Sequence, residues 1–127
     1  MKEKGQALII LIVAVALTLS VLTASLLASI SQARASSTSR LGQKVYYAAE
    51  SGAEYGLLKS LRNPGSCTGS DTLNQDSVSV TITYNSAGTS CVVTSEATQN
   101  NILKKIRVEN SYTPSQIFTT CCWSEIP

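Results

Sequence analysis

Residues 6–33 read QALIILIVAVALTLSVLTASLLASISQA, and no charged residue interrupts the chain from Gln6 until Arg34. A helix needs about 20 apolar residues to cross the hydrocarbon core of a bilayer, and this stretch exceeds that. Between Leu8 and Leu27 stand seven Leu, three Ile and three Val. At roughly −0.5 kcal/mol for each near the bilayer centre, they favour insertion by about 6 kcal/mol. Thr18, Ser20, Thr23 and Ser25 oppose this little, because a helical hydroxyl can bond back to the preceding turn. Ahead of the run stands a short charged stub with Lys2, Glu3 and Lys4, closed by Gly5. So short a basic stub stays on the cytoplasmic side, which puts the chain beyond Arg34 on the far side of the membrane. A cleaved secretory signal is the rival reading. Ala33-Arg34-Ala35 has the small-x-small form of a cleavage site and would leave Ser36 first, but signal cores usually run only about 7–15 residues.

Working outward, residues 34–62 continue without a break signal. Leu41, Val45, Ala48, Ala49, Gly52 and Tyr55 recur at spacings of three and four, so the spacing predicts an amphipathic helix with one apolar stripe. Arg34, Arg40 and Lys44 fall on the polar side. Asn63-Pro64-Gly65 should end the helix, since the residue before a proline is driven out of the helical region. Helix from Gln6 to Arg62 would measure about 85 Å at 1.5 Å per residue. A small globular domain has no use for such a length; a filament does.

The remainder, residues 63–127, is rich in Ser, Thr and Asn. Ser77 to Tyr84 alternates strictly, with Val78, Val80, Ile82 and Tyr84 on one face. Asn85-Ser86-Ala87-Gly88 signals a turn, Thr89 to Glu96 a second strand, Gln99-Asn100-Asn101 another turn, and Ile102 to Glu109 a third strand. Short links imply an antiparallel meander. Its apolar face needs cover, and the carboxyl half of the helix is the only large partner. The expected class is α+β: a long amino-terminal transmembrane helix with a small three-stranded antiparallel sheet on its carboxyl half.

Composition narrows function. The chain has 127 residues and a net charge of +2; without Lys2, Glu3 and Lys4 it keeps eight basic and seven acidic residues, a charge of +1. That is no electrostatic footprint for nucleic acid. There is no His, which removes the commonest general base and neutral metal ligand. No nucleophile–base set stands out, so an enzyme is not expected, nor a cofactor. Four cysteines in an exported region point to oxidation: Cys67 after the helix, Cys91 at the second strand, and the neighbours Cys121 and Cys122. Sequence cannot choose among three connectivities. Adjacent cysteines rarely bond each other, so Cys121 and Cys122 are each expected to pair elsewhere. A metal site lacks His and Cys-x-x-Cys spacing. Trp123 with Ile126 is expected to cover the base of the sheet, an exposed adhesive Trp being the alternative.

Lys4-Gly5-Gln6-Ala7-Leu8, the apolar run and Ala48-Ala49-Glu50-Ser51-Gly52, in that order, resemble the amino-terminal region of type IV pilin-like proteins. Within these, the first 62 residues look most like PilX-type minor pilins and related pseudopilins. The resemblance implies a lollipop-shaped subunit with a leader over residues 1–5, a helix over 6–62 (6–33 in membrane or filament core) and a head over 63–127. It implies a prepilin peptidase that cuts after Gly5, a methylated amino group on Gln6 and other pilin subunits as partners. It also implies residence in the cytoplasmic membrane before assembly and in an extracellular filament after it. The chain departs from the pattern twice. Gln6 stands where Phe is usual, and Ile10 stands where major pilins carry the Glu thought to pair with a neighbour's amino terminus. Ile10 favours a minor subunit, unless the filaments manage without that pair.

Ala48, Ala49, Ala53, Gly52 and Gly56 form small-residue stripes that let another backbone approach closely. They could meet a neighbouring subunit or the sheet of the same chain. Glu50 reads as a polar contact typical of the family. The second function class is a membrane-anchored or secreted small binding module, told apart by the first residue of the mature chain.

Overall fold

The computed structural model describes residues 2–63, 66–112 and 118–127, and side chains at 5–63, 66–111 and 119–127. One helix, α1, runs Lys2–Arg62, and five strands follow: β1 Gly69–Gln75, β2 Val78–Ala87, β3 Ser90–Gln99, β4 Ile102–Tyr112 and β5 Phe118–Ile126. Contacts divide the chain into two units, residues 1–39 and 40–127.

The first unit is helix throughout its described length. Its hydroxyls turn back onto the helix: Thr18 Oγ1 donates to the Val15 carbonyl at 2.9 Å, Ser20 Oγ to Leu17 at 2.7 Å and Thr23 Oγ1 to Ser20 at 2.9 Å. Ser25 and Ser31 do the same toward Leu22 and Ala28. These hydroxyls thus have backbone partners and ask nothing of a solvent.

The second unit packs residues 40–62 of α1 on an antiparallel sheet with strand order β1-β2-β3-β4-β5. The expected three strands are its middle, β2, β3 and β4, but Asn85-Ser86-Ala87, read as a turn, extend β2, and β3 begins only at Ser90. The sheet has two further strands, and three was an undercount. Only Leu73 is strongly apolar in β1 (GSDTLNQ), and an edge strand needs no more. The Asp76-Ser77 and Asn100-Asn101 turns place both central residues at positive φ (49° and 68°, then 48° and 64°), the two-residue type I′ geometry that matches strand twist. Gly88 supplies φ +67° at the two-residue Gly88-Thr89 turn between β2 and β3.

Val78, Val80, Ile82 and Tyr84 face the helix, in register with Val93 and Ala97 of β3 and, beyond them, Ile106 and Val108 of β4. From α1 they meet Val45, Ala48, Ala49 and Ala53, all buried. Tyr55, expected on this stripe, is 44% exposed; Ala53, Gly56 and Ser60 occupy the buried positions instead. A bulky ring there would hold the sheet away from the backbone. Asn63 N–H donates to the Lys59 carbonyl at 3.2 Å, closing the last turn. Pro64 and Gly65, read as the helix stop, lie outside the described residues.

Candidate functional site

Leu8, Ile9, Ile10, Leu11, Ile12, Val13, Val15, Leu17, Leu19, Val21, Leu22, Leu26, Leu27 and Ile30 are each at least 50% exposed. An 18-residue window of this helix reaches a mean hydropathy of 2.8, with none of it buried within the chain. Side chains so apolar, all round one helix, require a non-aqueous environment. By length and composition the segment can cross a membrane.

The glycines divide sharply. At Gly5 an added Cβ would meet nothing within 4 Å, and the residue is helical. Glycine costs about 1 kcal/mol against alanine in a helix, and among the described residues no neighbour requires it at position 5. At Gly52 an added Cβ would stand 2.6 Å from Val80 Cγ1 and closer still to Ser95 Oγ. At Gly56 it would stand 3.0 Å from Ile82 Cγ2 and closer to Val93 Cγ1. The stripe of Ala48, Ala49, Gly52, Ala53 and Gly56 is therefore taken up by the sheet of the same chain. Glu50, half-buried beside it, makes no ion pair among the described residues.

Cys67 and Cys91 are bonded, with Cα atoms 5.7 Å apart, and tie the segment after α1 to the start of β3. Cys121 and Cys122 are bonded to each other, contrary to the expectation that each pairs elsewhere. The pairing of β4 with β5 explains this. Register shifts between Arg107 and Glu109, leaving the Cys122–Trp123 stretch as a bulge, and Cys122 takes φ +64°. The bulge brings the two neighbouring side chains together and carries them away from the core. Trp123 is 41% exposed and Ile126 half-buried. No sequence signal separated this bulge from an ordinary strand.

Two polar clusters fasten helix to sheet. Asn110 Nδ2 donates to Ser60 Oγ at 2.7 Å, and Ser60 Oγ donates to the Leu57 carbonyl at 2.7 Å. Lys59 Nζ and the Tyr84 hydroxyl both donate to Asp71 Oδ2, at 2.5 and 2.8 Å. These bonds, Lys59 first and Tyr84 next, hold the Asp71 carboxyl below its ordinary 3.8. Burial, then the bond to Asp71, pushes the Tyr84 hydroxyl far above its ordinary 10.0. Both clusters join elements that must stay together. Among the described residues no group of three or more potential ligands could hold a metal ion. No family model, curated protein or solved structure matches this chain.

Proposed function

We propose that the chain is a structural subunit of an extracellular type IV pilus or related pseudopilus. A prepilin peptidase releases it after Gly5, and residues 6–33 hold it first in the cytoplasmic membrane and then among other pilin helices. The observation that carries this reading is the pairing of a fully exposed apolar helix with a head that needs none of that surface. The head's own core uses α1 only from Val45 onward. The helix surface before it is free to trade lipid for neighbouring helices with no loss of apolar burial. Gly5, which the fold does not use, is accounted for by a peptidase that must approach the backbone at that bond.

If the new amino terminus stays charged, Ile10 makes this a scarce subunit, dependent on a major pilin that supplies a carboxylate. A photo-crosslinker at Leu17 tests assembly. Adducts with another pilin helix in sheared filaments support it; adducts confined to the membrane fraction contradict it. A second reading, a membrane-anchored binding module, draws on the exposed Trp123. It predicts that Trp123→Ala abolishes surface attachment while the chain never leaves the membrane.

A further inference from the structure

From Gln6 through Ala49 the chain contains no Asp or Glu; its first carboxylate after the stub is Glu50. Cleavage after Gly5, as proposed above, would make Gln6 the first residue of α1 and give it a free α-amine. That amine would sit at the positive end of a long helix dipole, beside side chains that favour an apolar surround. A protonated amine is costly there, and no residue of its own segment can offset it.

Glutamine at an amino terminus has a chemical exit that few other residues share. Its γ-carboxamide carbon lies within reach of its own α-nitrogen in a five-membered ring. We infer that Gln6 of the processed chain closes to pyroglutamate, so that the subunit enters its apolar surround with a neutral amino terminus. The free-base amine attacks Cδ, the bond from Cδ to Nε2 breaks, and one ammonia leaves with the displaced proton. A lactam N–H and carbonyl remain, and neither oxidant nor cofactor is needed. An α-amine has an ordinary pKa of about 8, so roughly a tenth is free base at neutral pH, enough to feed an irreversible step. Gln6 is exposed, so its side chain is free to fold back. The lactam cannot be protonated, and cyclisation competes with methylation for the same lone pair.

This inference rests on cleavage after Gly5, and it removes the electrostatic reason for scarcity. With a neutral terminus Ile10 needs no carboxylate in its place.

The amino-terminal peptide of the full chain, recovered from native cells, decides the matter by mass spectrometry. An open synthetic peptide of the same sequence is carried through the same work-up as a control. A peptide beginning at residue 6 and lighter by one ammonia, with no methyl group, is the expected result. A peptide beginning at Gln6 with an open or methylated amine overturns cyclisation and leaves the pilin reading standing. A peptide beginning at Met1 or Ser36 overturns both. Gln6→Asn keeps an amide but is one methylene too short to close the ring. Its incorporation into filaments should fall by roughly tenfold or more, the mark of a charge desolvated without a partner, and Ile10→Glu should restore it. Incorporation of Gln6→Asn at the level of the unsubstituted chain would overturn the role given to the neutral terminus.

Discussion

Replacing Gly56 with alanine should weaken the second unit, although alanine is the better helix former. Helix propensity favours the alanine by about 1 kcal/mol. Against this, its Cβ would stand 3.0 Å from Ile82 Cγ2 and nearer to Val93 Cγ1, with Tyr84 Cε1 at 3.5 Å. Forcing a methyl into a packed core costs about 1–3 kcal/mol. Gly42 is the internal control, because a Cβ there meets nothing within 4 Å and gains the same propensity. The difference between Gly56→Ala and Gly42→Ala therefore isolates the packing cost. At about 4–8 °C per kcal/mol for a unit of this size, the two variants should melt at least ~4 °C apart, Gly56→Ala lower. Near-UV circular dichroism of the detergent-solubilised chain reads the head without interference from the apolar helix. Val93→Ala on the Gly56→Ala background should recover part of the loss, as a favourable coupling in a double-mutant cycle. Equal melting temperatures for Gly56→Ala and Gly42→Ala would refute the close helix–sheet packing.

Gly5→Ala should leave the head's melting temperature unchanged yet block processing, seen as an unshifted intact mass; normal maturation would remove Gly5 from the cleavage site. Thiol labelling of denatured, unreduced protein should find no reactive cysteine, since both disulfides stay within the chain. Cys67→Ala with Cys91→Ala should cost about 3 kcal/mol in guanidinium unfolding, while Cys121→Ala with Cys122→Ala, which closes no loop, should cost far less. For pH, a carboxyl lowered in the folded state stabilises above its ordinary 3.8 and loses that contribution as pH falls through its folded value. Asp71→Asn should flatten the acid limb of a stability–pH curve. Tyr84, raised in the folded state, keeps its contribution below pH 10.0 and loses it as pH climbs beyond, so Tyr84→Phe should flatten the alkaline limb.

The helix and the three central strands were legible because their periodicities are long and clean. Val78, Val80, Ile82 and Tyr84 all land on the buried face. β1 was not legible, since seven residues with one Leu carry no alternation. β5 was hidden differently: its bulge breaks the period of two at the adjacent cysteines, which drew attention as staples rather than as strand. Tyr55 went astray because apolarity was taken for burial, whereas the contact with the sheet selects smallness. Gly52, Gly56 and Ser60 sit where backbone nearly touches strand. Of the candidate residues, the small stripe belongs to the fold, and Gly5 and Gln6 make no tertiary contact among the described residues.

The sheared cell-surface fraction, analysed in cells with and without their prepilin peptidase, tests the filament role most directly. The expected result is this chain in the filament fraction, beginning at residue 6, and its disappearance from that fraction without the peptidase. A chain that stays in the membrane with residues 1–5 attached, or that is released beginning at Ser36, would contradict it.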